Sequence, residues 1–339
     1  MSNMVNRREV LLRAGAAAAL TALGTGPALS VVPGVPSSPF DADSTAAEVT
    51  AGIDLSGKTV LITGVNSGLG LETMRVLAMR GAHVLGAART QEKADSACQS
   101  VAGKTTPVVC ELADFQGVVA CATRVKALGK PIDVVICNAA VSEIPELRQV
   151  NGIEMHFAVN HLGHFILVNQ LLASLRAADQ GRVVVLSSTI RKQASETGIE
   201  FDNLSGKHDY DPGRAYAQTK LAAGLFSYEL AKRLKGTRVT SNSVHPGVIN
   251  TNINRNYSAF MKFVADYIGP FVMKSIAQGA ATSCYVATRP DLASTSGRYF
   301  EDCQAVAPGG YMEDDAMAGR LWKKSVELTK LYLPASSAQ

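Results

Sequence analysis

Lys58-Thr-Val-Leu-Ile-Thr63 runs without a break into Gly64-Val-Asn-Ser-Gly68-Leu-Gly70 and on into a helical stretch, Leu71 to Arg80. The short aliphatic and β-branched run suits a strand buried on both faces, so the order is strand, glycine turn, helix. Glycines let the backbone approach a pyrophosphate, whose charge the positive end of the helix dipole favours. A tight strand-to-helix turn could need the same glycines without any ligand, so the pattern requires support from the rest of the chain.

That support comes in sequence order. His83–Ala88, Pro107–Cys110, Asp133–Cys137, Arg182–Ser187 and Val239–Val244 read as further strands with helical segments between them. Strands alternating with helices predict parallel crossovers and an α/β fold with a doubly wound parallel sheet flanked by helices. Ligands of such sheets sit at the carboxyl ends of the strands, where the strand order reverses. With 339 residues, 47% of them hydrophobic, the chain can bury one large core, and a single domain is expected over 54–334.

Composition excludes other classes. The net charge of +4 is spread with no Lys/Arg run after residue 13, so nothing points to nucleic acid. The six cysteines show neither zinc-site spacing nor the density of a disulfide framework, and no metal is implied. After the first 30 residues no apolar run is long enough for a membrane span.

The N-terminus is a unit apart. Arg7-Arg8 stands ahead of the apolar run Ala14–Leu23, followed by Gly24, Pro27 and the small-residue tripeptide Ala28-Leu29-Ser30. This is the order of a secretory signal, and the paired arginines make residues 1–30 resemble a twin-arginine signal. It implies a periplasmic or otherwise exported protein, the alternative being a cytoplasmic enzyme with an N-terminal helix or extension. Residues 31–53, rich in Pro, Ser, Ala and Asp, read as a flexible linker.

Thr63-Gly64-Val-Asn-Ser-Gly68-Leu-Gly70, Cys137-Asn138-Ala139-Ala140, Asn160 in Phe157-Ala-Val-Asn-His-Leu-Gly163, Ser188, Tyr216-Ala-Gln-Thr-Lys220 and Pro246-Gly247 follow one another along the chain. In this order they resemble the motifs of the short-chain dehydrogenase/reductase family, over residues from about Ser56 to the C-terminal region, which implies a Rossmann-type sheet. Asn160-His-Leu-Gly-His-Phe165, Gln278-Gly279, Ser296-Gly-Arg-Tyr-Phe300 and Leu321-Trp322 resemble its retinol-dehydrogenase-like branch. Two departures, Cys137-Asn138-Ala139-Ala140 for the family's Asn-Asn-Ala-Gly and Glu111 for its usual Asp, touch contacts to the nucleotide's adenosine side.

The resemblance implies a nicotinamide dinucleotide held by Gly64, Asn66, Ser67, Gly68, Leu69, Gly70, Arg89, Glu111, Leu112, Asn138, Ala139, Ala140, Tyr216, Lys220, Pro246, Gly247, Val248 and Thr251. Hydride transfer at a carbinol carbon needs a matching proton transfer at its oxygen. Tyr216 is the candidate acid/base. A phenol titrates at about 10, and the cation of Lys220, four residues on along the same helix, would favour the phenolate. Ser188 would hold the substrate oxygen, and Asn160 resembles the family residue that supports a water relay to the lysine. Taken singly, each has a plainer reading: a helix-surface pair, a strand-end cap, a polar helix residue. Tyr210, amid Asp209, Asp211 and Pro212, suits a turn, and His161 and His164 read as packing or hydrogen-bonding residues.

An acid at the end of the second strand would bind the ribose 2′-hydroxyl and repel a 2′-phosphate. Here Ala88 is followed by Arg89, so NADP is expected over NAD. The stretch Tyr257–Met273, mixing aromatics and methionines, suits either a cover over an apolar alcohol or ketone or a helix packed on the core. The segment Arg191–Arg214 is expected to rim the same pocket. The expected partners are a small lipophilic substrate and a second copy of the chain. Reduction of a carbon–carbon double bond, or dinucleotide sensing without catalysis, are the rival functions.

Overall fold

All five residues of Thr59–Thr63 (β1) are buried, because the strand lies between two parallel neighbours in a sheet covered on both faces. His83–Ala88 (β2) pairs with it on one side and Val134–Cys137 (β4) on the other, Leu61 standing opposite Leu85 and Val135. Thr105–Val109 (β3) extends the sheet past β2, and Gly181–Leu186 (β5) and Val239–His245 (β6) extend it past β4, all parallel. Tyr299–Glu301 (β7) and Gln304–Val306 (β8) complete the order β8-β7-β6-β5-β4-β1-β2-β3, with β8 antiparallel to β7. The strand order reverses between β1 and β4, which makes their carboxyl ends the expected ligand crevice. The computed structural model describes residues 32–142, 144–249 and 273–335.

The helices, in chain order, are Ala46–Val49 (α1), Gly68–Met79 (α2), Gln91–Gln99 (α3), Phe115–Lys126 (α4), His164–Arg176 (α5), Pro212–Arg233 (α6), Ile276–Gly279 (α7), Ala281–Thr288 (α8) and Asp315–Thr329 (α9). Successive strand residues point to opposite faces. Leu61, Val135 and Val183 join a core with Phe165, Phe226 and Trp322, whereas Ile62, Ile136 and Val184 join one with Met74, Leu77 and Tyr285. Trp322 of α9 clamps α5 to α6: its ring lies 4.9 Å from Phe165 and 6.0 Å from Phe226, between centroids.

The doubly wound α/β sheet matches the fold expected from the strand pattern, with end residues shifted by one or two positions. The short β7 and β8 are additions. The flexible linker expected over 31–53 is corrected over its described part. Thr45 and Glu48 form a capping box that starts α1, and Ala46, Val49 and Thr50 are fully buried against the second core. Phe40 meets Tyr285 edge-on at 6.0 Å, and Gln304 Nε2 donates to Ser38 O and Phe40 O at 3.0 and 2.6 Å. Small residues let this strap lie close to the domain, so it packs despite its low hydrophobicity. The leader reading, on residues 1–30, lies outside the described residues.

Candidate active site

At the carboxyl end of β1 the chain turns through Gly64, at φ +75°, into α2. A Cβ on Gly64 would lie 2.9 Å from Ala139 Cα, and one on Gly70 would collide with Gly64 O. Gly68, at φ +57°, needs the left-handed region. The glycines are thus fixed by close approach of three backbone segments. Ser67, the N-cap of α2, makes no side-chain cap bond, and the first helical turn holds no acid. Backbone amides at a helix N-terminus without a side-chain acceptor suit a pyrophosphate, so the turn Gly64–Gly70, including Asn66 and Leu69, fits a dinucleotide.

Thr63 and Asn138 lock this turn to the end of β4. Thr63 Oγ1 accepts from the backbone N–H groups of Asn138 and Ala139, both at 3.0 Å, and Asn138 Nδ2 donates to Thr63 O at 2.8 Å and Gly64 O at 3.3 Å. Ala139 and Ala140 are half-buried beside it. On the adenosine side, Ala88 is buried and Arg89 exposed at the end of β2. Glu111 turns back on its own chain, accepting from Ala113 N–H at 3.0 Å, and Leu112 is buried under Gly163. Across the crevice Pro246 and Gly247, the latter at φ +91°, follow β6 and lead to the exposed Val248. Thr251 lies outside the described residues, as does the Tyr257–Met273 stretch apart from Met273.

The proposed acid/base residues converge on the end of β5. Lys220 is buried, and its Nζ donates to Leu186 O at 3.0 Å while standing 5.6 Å from the centroid of the Tyr216 ring. Burial pushes its pKa down to about 8, so the amine is still mostly protonated at neutral pH. Ser187 Oγ donates to Lys220 O at 2.7 Å, a second tie between α6 and β5. Ser188, next along, accepts from Ile190 N–H at 3.3 Å and caps the short helical turn Thr189–Gln193. Its plain reading as a cap therefore holds, without removing the hydroxyl's remaining bonding capacity.

Asn160 sits in a π-helical turn, Phe157–Gly163, that leads into α5. Its side chain grips Val141 on both groups, accepting from N–H at 2.8 Å and donating to O at 2.9 Å, and also donates to Thr219 Oγ1 at 3.1 Å. Thr219 Oγ1 donates in turn to Tyr216 O at 2.8 Å. Asn160 thus links the strand-end loop to the helix carrying Tyr216 and Lys220. That loop is held from outside too. His156 Nδ1 donates to Glu154 at 2.6 Å, its Nε2 accepts from Ile144 N–H at 3.3 Å, and Tyr210 OH donates to Ile144 O at 2.7 Å. Tyr210 is a brace, as its turn-rich surroundings suggested.

Thr63, Ser187, Thr219 and His164 were not singled out as site residues from the sequence. Thr219 carries a signal in hindsight, since it lies between Tyr216 and Lys220; the other three act through contacts distant along the chain. Part of the segment after Ser188 borders a separate opening. Ser195, Phe201 and Arg214, with Asp314, Met317 and Arg320, are among the residues lining an open cleft of about 1070 Å³ that none of Asn160, Ser188, Tyr216 and Lys220 borders. Gln218 Oε1 accepts from Glu200 N–H at 2.6 Å and ties that segment to α6. Among the described residues no helix is long and apolar enough to cross a membrane, and no group of three His, Cys, Asp or Glu could hold a metal ion.

A sequence profile described as short chain dehydrogenase matches residues 58–262. The chain is 38% identical over 301 residues to Short-chain dehydrogenase TIC 32 B, chloroplastic, of Brassica napus, covering 85% of this chain and 94% of that one. It is 40% identical over 284 residues to Retinol dehydrogenase 12 of Mus musculus, covering 82% and 88%. A crystal structure from Mycobacterium paratuberculosis superposes with a TM-score of 0.68 at 30% identity, over 86% of this chain and 99% of that one. The Pseudomonas aeruginosa RhlG/NADP active-site complex shares the fold, with a TM-score of 0.59 at 22% identity over 74% and 96%.

Proposed function

This chain belongs to the short-chain dehydrogenase/reductase family and is an NAD(P)-dependent oxidoreductase of it, and from that premise we propose that it interconverts a lipophilic alcohol with its ketone or aldehyde, using NADP in preference to NAD. The observation that carries the chemistry is the buried Lys220 ammonium, anchored on Leu186 O and set 5.6 Å from the Tyr216 ring. Bound, the dinucleotide supplies or accepts the hydride. Tyr216 gives a proton to the substrate oxygen or takes one from it. Lys220 stabilises the phenolate by its charge, which burial of the lysine keeps from being screened. Ser188 donates a second hydrogen bond to the oxygen, and Asn160 supports proton return toward Lys220.

Arg89 supports the cofactor preference: an exposed guanidinium at the end of β2 can take a 2′-phosphate bidentately, and no acid stands in its place. The lipophilic substrate rests on the resemblance to retinol dehydrogenases. A screen of alcohols, ketones and enones with NADP(H) and NAD(H), followed by nicotinamide absorbance, tests the assignment. Turnover confined to enones would replace it by carbon–carbon double-bond reduction with Tyr216 protonating carbon. Cofactor binding without any turnover would replace it by dinucleotide sensing.

Export belongs to the same proposal. Arg7-Arg8 ahead of an apolar run would send the enzyme out folded, with its cofactor already bound, by a twin-arginine route. Cell fractionation of the full chain beside an Arg7→Lys/Arg8→Lys variant decides it; both proteins in the cytoplasm with the leader intact would overturn the export reading.

A further inference from the structure

His164 joins the nucleotide turn to the π-helical turn. It is buried, at 3% exposure, and its two ring nitrogens meet different partners: Nε2 lies 2.9 Å from Thr63 Oγ1 and Nδ1 lies 3.1 Å from Asn160 O. The direction of each bond is forced. A carbonyl can only accept, so Nδ1 carries the hydrogen. Thr63 Oγ1 already accepts from Asn138 N–H and Ala139 N–H, so its single proton must go outward, to His164 Nε2 at 2.9 Å or to Ile136 O at 3.4 Å. The shorter contact wins when the ring is neutral, and burial holds its pKa down at about 4. The His164 backbone N–H, meanwhile, turns to His161 O, so it is the ring that takes up Asn160 O.

We infer that His164 is a positioning residue: through one directed chain, from the Asn138 and Ala139 amides through the Thr63 hydroxyl and the imidazole to the Asn160 carbonyl, it sets the Asn160 turn against the wall of the dinucleotide crevice. This rests on the oxidoreductase reading for its catalytic consequence, though not for the chain of bonds. Asn160 fixes both Val141 and Thr219, and Thr219 holds the carbonyl of Tyr216. A loosened Asn160 would therefore displace the Tyr216–Lys220 turn from the nucleotide, and misplacement of about 1 Å can cost about a hundredfold in rate.

The test compares His164→Asn, whose amide keeps a donor near the position of Nδ1, with His164→Leu, which fills the space and donates nothing. In kcat, the Asn variant should exceed the Leu variant by at least about tenfold. In melting temperature the order should reverse, because a buried amide is costlier than leucine and leucine is the better helix former. A purely structural role would make kcat follow the melting temperature, and that result overturns the proposal. Thr63→Val should raise the NADPH dissociation constant, read by nicotinamide fluorescence, whereas His164→Asn leaves it nearly unchanged; no rise in the valine variant also overturns it. Long-range 15N–1H spectra of the unmodified protein need no turnover and no variant. They should show His164 as the Nδ1–H tautomer, and an Nε2–H tautomer breaks the chain even if the enzyme proves to act on another substrate class.

Discussion

Lys220 Nζ stands 5.6 Å from the Tyr216 ring centroid while its hydrogen bond to Leu186 O ties it to the end of β5. One cation thus serves two elements, the helix that carries the phenol and the strand that leads to Ser188. Tyr216→Phe removes the proton carrier and leaves this tie in place. Turnover should fall by at least about a hundredfold, the usual scale for a general acid/base, with the NADPH dissociation constant little changed. Activity within a few-fold of the unmodified enzyme would sink the assignment. Lys220→Ala should lower turnover and cofactor affinity together if, as the resemblance implies, Lys220 also helps to hold the dinucleotide.

Gly70→Ala tests the nucleotide turn by sterics alone. The added methyl would collide with Gly64 O and come within 2.6 Å of Asn138 Nδ2, so the turn must open. Overpacking of this kind costs about 1–3 kcal/mol, and here it acts on the amides that would meet the pyrophosphate. Cofactor affinity, measured by calorimetry, should fall at least tenfold, with a parallel drop in melting temperature. Gly129→Ala, at φ +64° on the surface with nothing near, is the control: it should lower stability slightly and leave cofactor binding alone.

Arg89→Ala should weaken NADP by about 1.5–3 kcal/mol, the worth of a hydrogen bond to a charged group, and leave NAD nearly unaffected. Dissociation constants for both cofactors give the answer directly. Equal losses for the two would show that Arg89 does not read the 2′-phosphate.

Legibility in the sequence followed the range of the interactions. Strands β1, β2, β4 and β5 are largely apolar runs because both faces are covered, so a local pattern declares them, whereas β6 buries Thr240, Ser241, Asn242 and Ser243 between Val239 and Val244. β7 and β8 are three residues each and exist only because β6 offers an edge. In the site, Tyr216 and Lys220 share one helix, and their spacing alone pairs them. The contacts of Thr63 with His164, 101 positions apart, and of Ser187 with Lys220, 33 apart, depend on the sheet bringing strand ends together. The strap Val35–Thr50 misled for another reason: its Phe40, Ala46 and Val49 are too sparse to form a pattern and find their core only in Tyr285 and its neighbours.

Three buried imidazoles should set the acid limit of the fold. Burial holds His161, His164 and His245 at about 3, 4 and 4, against about 6.5 in an unfolded chain. Second influences differ: the Asn160 carbonyl raises His164 and nearby Lys220 lowers it, Asp302 raises His245, and His164 lowers His161. His161 shows why protonation is resisted. Ser325 Oγ donates to Leu321 O and so accepts from His161 Nε2–H, leaving Nδ1 buried with no partner for a second proton. As pH falls from about 6.5 toward 4, the unfolded chain binds protons that the folded one refuses, so stability is present above this window and is lost within it. Near pH 5 the difference is about three protons, a slope of up to about 4 kcal/mol per pH unit from these residues. Urea midpoints at pH 7, 6 and 5 should fall accordingly, and His161→Phe, seated among Phe157, Phe165 and Phe226, should flatten the decline by about one proton. An unchanged slope in that variant would mean that His161 keeps its proton on folding, which would overturn its part in the acid limit.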